Sequence, residues 1–498
     1  MMRYFAFLLL ALLACQPSQT QAPAKPNFVF FLVDDMGWTD LGCFGSTFYE
    51  TPNIDRLAAS GVRFTQAYAA CPVCSPTRAS IMSGKYPARL GVTDWIAGRQ
   101  SYHPADPGQK MLPRPFKLEL ALEETTIAEA LKEAGYSTFF AGKWHIGETE
   151  EFWPENQGFD INKGGHSKGS PPGGYFSPYT NPRLESGPKG EYLTDRLGDE
   201  SVSFLQSVGT NPFLLYLSFY TVHNPMQGKD SLVQKYEAKK TALGHEDSNR
   251  FNYRAPWIET APPKGNYRER LLQDHSTYAA MVESLDQNVG KVLDKLEELG
   301  LAENTVVIFM SDNGGLATSE GSPTTNLPLR AGKGWLYEGG IREPMIIRWP
   351  MEAQAKGVVE VPVTSTDFYP TMLEMAGLPL REEQHIDGVS LVPLLRRTGS
   401  LDREAIYWHY PHYANQGGLP GAVIRSGDYK LIETFGEAEL ELYNLKNDIG
   451  ETENLAAQMT ELRDSLLLQL HQWQESVAAE GMDPNPDYDP SYRRAWKD

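Results

Sequence analysis

Two groups of residues in this 498-residue chain have types and spacings that could do chemistry. The first surrounds Cys74. Cys71 and Cys74 form a C-x-x-C, and with Cys15 and Cys43 they make up the four cysteines of the chain. Four are too few for a disulfide scaffold. No second C-x-x-C or H-x-x-x-H follows to complete a zinc site. Pro76 and Arg78 instead extend Cys74 into C-x-P-x-R. A free cysteine is most often a small buried hydrophobe, so this short pattern needs support from elsewhere. The second group is acidic: Asp34-Asp35 and Asp312-Asn313, each directly after an apolar run. Adjacent carboxylates repel unless a cation lies between them. Carboxylates plus an amide suit a hard ion such as Ca²⁺, with Mg²⁺ second. Asp and Asn also make turns, and either pair alone reads that way. Two pairs, each ending a buried run, favour the metal.

These residues need elements to position them. Residues 28–33, 137–141, 213–219 and 304–310 are apolar runs that read as strands buried on both faces. They alternate with helix patterns. Pro52 opens one helix, Thr126 and Glu129 form a capping box for another, and residues 278–299 carry a long apolar stripe. Alternating strands and helices imply an α/β sheet. Ligands of such sheets bind at the carboxyl ends of strands, so the loops after Val33, Ala141, Phe219 and Met310 should converge. Residues 164–178 and 253–265 read as long surface loops. Near residue 380 the texture changes. Short strands at 405–410, 421–425 and 430–434, then a helix over 455–477, indicate a smaller α+β domain. The expected division is 1–25, 26–380 and 381–498.

Lys+Arg 45 against Asp+Glu 64 gives a net charge of −19, and no basic run stands out, so nucleic-acid binding is a poor fit. Arg3 precedes a short apolar run that is too short to span a bilayer and has the shape of a signal-peptide core. It ends Leu12-Leu13-Ala14-Cys15, which resembles a bacterial lipobox with Cys15 as the lipidated residue. Export is expected on this reading, with a lipid anchor holding the protein at the periplasmic or outer-membrane face or the cell surface. An ordinary secretory signal is the less favoured alternative.

Cys74-Ser75-Pro76-Thr77-Arg78 with its extension through Lys85 resembles the signature of the type I sulfatases of the alkaline phosphatase superfamily. Residues 52–57 (PNIDRL), 332–334 (GKG) and 337–342 (YEGGIR) resemble further segments of that family in the expected order. The resemblance implies a large mixed, mostly parallel sheet flanked by helices, with a smaller C-terminal α+β domain. It implies that a maturation enzyme oxidises Cys74 to formylglycine. One hydroxyl of the aldehyde hydrate would attack sulfur and the other would later expel sulfate. It also implies one Ca²⁺ held by Asp34, Asp35, Asp312, Asn313 and the residue-74 oxygen. Arg78 would support the hydrate, and Lys143 and Lys333 would hold the sulfate. His145 would take the hydrate proton, and His223 would be the general acid, a role shared with Lys333.

A sulfated carbohydrate is the expected substrate. His166, His409 and His412 are weaker contact candidates. His409 and His412 lie in an aromatic cluster that, with Asn415 and Gln416, could grip a sugar or simply pack between domains. Two alternatives remain open. One is a phosphonate monoester or phosphodiester hydrolase of the same superfamily. The other is a catalytically silent sulfoglycan-binding lipoprotein.

Overall fold

The computed structural model describes residues 25–97, 106–245, 249–253, 267–352 and 354–490. Cys15 and its lipobox lie outside the described residues, as does nearly all of the 253–265 loop. Among the described residues, nine strands form one sheet. Strand Asn27–Val33 lies inside it, parallel to Phe213–Ser218 on one side and Thr305–Ser311 on the other. Ser137–Gly142 and Ile161–Lys163 continue the parallel run beyond Phe213–Ser218. Arg342–Arg348 pairs antiparallel with Thr305–Ser311 and with Val62–Tyr68, which makes the sheet mixed.

The inner strand shows why the apolar runs are continuous. Phe28, Phe30 and Leu32 enter one core, and Val29, Phe31 and Val33 enter the other. Side chains alternate across a strand, so a sheet covered on both faces needs apolar residues at every position. Helices Cys74–Ser83, Ile127–Glu133 and Phe368–Met375 cover the first face. Helices Pro52–Ser60, Leu193–Ser207 and Ser276–Glu298 cover the second.

Register then determines where the site falls. Leu32 lies opposite Ser218, Val33 opposite Ser311, and Gly142 opposite Ser218. The chain therefore leaves four parallel strands at one edge. Backbone bonds tie the departing loops together: Asp34 N–H donates to the Thr221 carbonyl (3.1 Å), Asp312 N–H to Val33 (2.9 Å) and Lys143 N–H to Ser218 (2.8 Å).

Three strands of five or more residues went unread in the sequence: Val62–Tyr68, Arg342–Arg348 and Leu440–Asn444. The second contains Pro344, which normally argues against an inner strand. A bulge between Glu343 and Met345 accommodates it. The third alternates charged and apolar residues at the edge of a second sheet, ordered Ala405–Tyr410, Gly421–Ser426, Tyr429–Thr434, Leu440–Asn444. Helix Thr460–Ser476, shorter than the expected 455–477, packs on one face of this antiparallel sheet through Leu466, Leu470 and Trp473. The other face packs Trp408, Val423 and Ile432 against Tyr68, Cys71 and Val73. The C-terminal sheet thus braces the segment that leads into Cys74.

A buried ion network joins the two sheets. Lys430 Nζ lies 3.0 Å from Glu338 Oε1 and 2.8 Å from Glu451 Oε1, and all three residues are fully buried. Tyr68 Oη donates to Glu338 Oε2 at 2.8 Å. Removing one partner of a buried set leaves uncompensated charge. Lys430→Met should therefore lower unfolding free energy by about 3–5 kcal/mol, read by denaturant titration. A loss within experimental error would show that the network contributes little.

Candidate active site

Cys74 is the first residue of helix Cys74–Ser83, all ten residues of which are buried. The unpaired N–H groups of a helix start favour an anion, so the site offers a place for an anionic group beside Sγ. Burial pushes the Cys74 thiol up, and Lys143 and Lys333 offset this only in part. At neutral pH the residue stays a thiol, a weak nucleophile compared with thiolate.

His145 is placed against it. Its Nδ1 lies 3.5 Å from Cys74 Sγ, and its Nε2 lies 3.0 Å from the Ile96 carbonyl oxygen. The tautomer that donates from Nε2 to Ile96 leaves Nδ1 as an acceptor facing position 74. Burial, reinforced by Lys143, holds this imidazole well below the usual histidine range, so it is neutral and able to accept a proton. The backbone of His145 sits in the left-handed region, at φ 60°, as does that of Asp35, at φ 61°. Non-glycine residues adopt this conformation at a cost, and it often marks functional sites.

A shelf of carboxylates lies across from Cys74. Lys143 Nζ contacts both Asp34 oxygens at 2.8 Å. Lys333 Nζ lies 2.6 Å from Asp35 Oδ1. Arg78, one turn into the helix, donates from Nε to Asp312 Oδ2 at 2.8 Å and from Nη1 to the Lys143 carbonyl (2.8 Å) and Ser218 Oγ (2.7 Å). Arg78 therefore ties three strand ends to the helix, as a positioning group. Asn313 Nδ2 donates to Asp35 Oδ1 at 2.8 Å.

This shelf fits a hard cation. Asp35 Oδ2 and Asn313 Oδ1 are buried without a hydrogen-bond partner, which is costly unless something else satisfies them. Asp34, Asp35 and His223 offer donor atoms within 4.8 Å of one another. Burial first, then Asp312 and Asp35, push Asp34 up to about 8 against the pull of Lys143. Oxygen donors of this kind suit Ca²⁺ or Mg²⁺.

His223 lies on the far side, with Nε2 3.7 Å from Asp35 Oδ2. Its Nδ1 donates to the Asn224 carbonyl at 2.8 Å. Burial, then Lys333, lower it to about 3 although Asp35 opposes them. His223 is neutral, whereas Asp35 and other anions overcome burial and hold Lys333 above the usual lysine range. Of His223 and Lys333, it is Lys333 that carries the proton at neutral pH.

Cys74, His145, His223 and Lys333 line one cavity of about 370 Å³. Asn415 and Gln416 line it too, but the expected histidine contacts do not. His166 is buried, 3.3 Å from Tyr220 Oη. His409 faces the C-terminal helix region, bonding Glu480 and Gln474. His412 is buried against Thr93 Oγ1 at 2.8 Å. The aromatic cluster is a packed one: both ring nitrogens of His409 and Nε2 of His412 have partners within the protein, and His412 Nδ1 lies 3.9 Å from Asp94 Oδ2. Trp95, Glu148, Lys168 and Glu320 are cavity residues that the sequence reading did not single out.

Comparison with known proteins defines the class. A sulfatase family profile matches residues 26–378, and an N-sulphoglucosamine sulphohydrolase C-terminal profile matches residues 331–476. The chain belongs to the sulfatase family and is a sulfuric ester hydrolase with that family's α/β fold. A sulfatase of Formosa agariphila is 34% identical over 91% of this chain and 88% of its own. The N-acetylgalactosamine-6-sulfatase of Rattus norvegicus is 33% identical over 78% of this chain and 69% of its own. The crystal structure of Ps i-CgsB in complex with k-i-k-neocarrahexaose is 28% identical, covers 95% of this chain and 100% of that one, and superposes with a TM-score of 0.73.

Proposed function

We propose that this protein removes sulfate from a sulfated carbohydrate, using formylglycine made from Cys74 and one Ca²⁺. The observation that carries the reading is the placement of Cys74: a non-ionising thiol at a helix start, facing the neutral Nδ1 of His145 and two lysines. As cysteine it is a poor nucleophile. As an aldehyde hydrate it would present two hydroxyls at the same point. Asp34, Asp35, Asp312 and Asn313 would hold the ion, which supplies positive charge to orient and acidify the hydrate. The chain's own groups do the rest. The helix start, Lys143 and Lys333 hold the anionic sulfate. His145 Nδ1 accepts a proton at position 74, and its Nε2 bond to Ile96 keeps the ring in place. His223, in a role shared with Lys333, would supply the leaving-group proton. His223 becomes competent once bound sulfate offsets the lysine charges that hold it down.

The sugar as substrate is supported by the polar cavity wall at Asn415 and Gln416 and by relatives that act on sulfated sugars by name. Export as a lipoprotein through Cys15 rests on the N-terminal sequence alone. The test is mass spectrometry of the Cys74 peptide from active, mature enzyme, with sulfate release measured on defined sulfated saccharides. Formylglycine at position 74 and saccharide desulfation are expected. Full activity with an unmodified thiol would overturn the mechanism, and faster turnover of an aryl phosphonate than of the aryl sulfate would overturn the reaction.

A further inference from the structure

Resting on that reading, we infer that Glu320 selects the charge of the sugar bearing the scissile sulfate. It admits a neutral monosulfated sugar and disfavours one that carries a second sulfate or a carboxylate. Glu320 lines the catalytic cavity together with His223 and Lys333. Its carboxylate is held there from two directions. Asn224, the residue after His223, donates from Nδ2 to Glu320 Oε2 at 3.1 Å. Gln416 donates from Nε2 to Oε1 at 2.5 Å. The backbone adopts φ 53° at this non-glycine residue, a sparsely populated conformation, and the two amide bonds set the side chain's direction. The residue remains exposed to the cavity. An ionised carboxylate has about four acceptor positions, and the two amides occupy two of them. The remainder accept sugar O–H or amide N–H groups.

The two lysines of the sulfate site are already committed. Lys143 is paired with Asp34 and Lys333 with Asp35. Lys333 also feels Glu320 directly, since that carboxylate helps hold its charge. Lys168 and Glu148 line the same cavity with opposite charges, and neither has an ion pair among the described residues. Together they add no net charge. A second anion on the leaving sugar would therefore meet a fixed carboxylate on the His223 side, and like charges brought together at a binding site oppose binding strongly.

The experiment compares the enzyme with Glu320→Gln on a neutral hexose monosulfate, the same hexose carrying two sulfates, and an aryl sulfate. The wild type should favour the monosulfate in kcat/KM by at least about tenfold, mainly through KM. Glu320→Gln keeps the side-chain shape and removes the charge. It should move the ratio of monosulfate to disulfate by about tenfold toward the disulfate. Calorimetric binding of both sugars to Cys74→Ala protein, with and without Glu320→Gln, reads the same selection without turnover. A wild type that prefers the disulfate in binding would overturn the inference and assign the second anion to Lys168. An unchanged binding ratio in the Glu320→Gln protein would also overturn it. Selective binding with no hydrolysis of any sulfate, aryl sulfate included, would instead sink the hydrolase reading and leave the charge selection standing.

Discussion

Replacing Cys74 by serine should reduce multiple-turnover sulfate release by about 10⁴-fold or more, the scale on which removal of a nucleophile is felt. Position 74 is almost fully buried at a helix start, and serine is close to cysteine in size, so the fold should persist. The chemical difference lies in the number of hydroxyls. Serine offers one, next to the same His145 acceptor and within the field of the same two lysines, Lys143 and Lys333. It can be sulfated, but it has no second hydroxyl to expel sulfate, so the adduct should persist. Rapid-quench kinetics should show at most one sulfate ester cleaved per enzyme molecule. Intact mass should then show protein carrying one sulfo group. Sustained turnover by the serine protein would mean that expulsion does not need a second hydroxyl, and the proposed route would fall.

Removing the divalent ion should have the second largest effect. With Asp35 Oδ2 and Asn313 Oδ1 buried and unpartnered, the folded shelf would bind a cation that the unfolded chain does not organise. Binding to the folded state alone stabilises by RT ln(1 + [L]/Kd), about 2.7 kcal/mol at a free ion concentration a hundred times Kd. Chelator-treated enzyme should melt at lower temperature and lose at least about 100-fold in kcat. Added Ca²⁺ should restore both, with elemental analysis giving one ion per chain. Asp35→Asn should remove the calcium dependence of the melting temperature, because it takes away a charged oxygen donor and leaves Lys333 without its partner. Melting that ignores both Ca²⁺ and Mg²⁺, in enzyme that stays active under chelation, would show that the carboxylates serve the lysines and arginine alone.

Much of this site was legible before any coordinates. Strands buried on both faces announce themselves as unbroken apolar runs, and Phe28 through Val33 is one. The polar residues directly after such runs are the ones a parallel sheet brings to one edge. Asp34, Lys143 with His145, His223 and Asp312 were found in that way. The capping box at Thr126 and the long stripe of Ser276–Glu298 were local features of the same kind. Local sequence determines these elements because burial and capping act between near neighbours.

Other features were decided by tertiary structure. His409 and His412 sit among aromatic residues that look equally suited to hold a sugar or to pack. Burial against Glu480 and Thr93 decides for packing, and no local pattern records which neighbours arrive from far along the chain. Arg342–Arg348 became an inner strand despite Pro344 because a bulge and two flanking strands absorb it. Arg78 read as a support for the nucleophile, yet its guanidinium is occupied by Asp312, Ser218 and the Lys143 carbonyl. Glu320 had no signal at all. It is one acid in a polar loop, and its amide partners Asn224 and Gln416 each lie 96 residues away. The sequence by itself determined the acidic strand ends and the sheet that gathers them, because those follow from short-range pattern and parallel register, whereas Cys74 was singled out by the resemblance of its C-x-P-x-R segment to the sulfatase signature. Charge pairing, the shape of the cavity and the place of Glu320 within it depend on which distant side chains meet, and the assembled fold decided them.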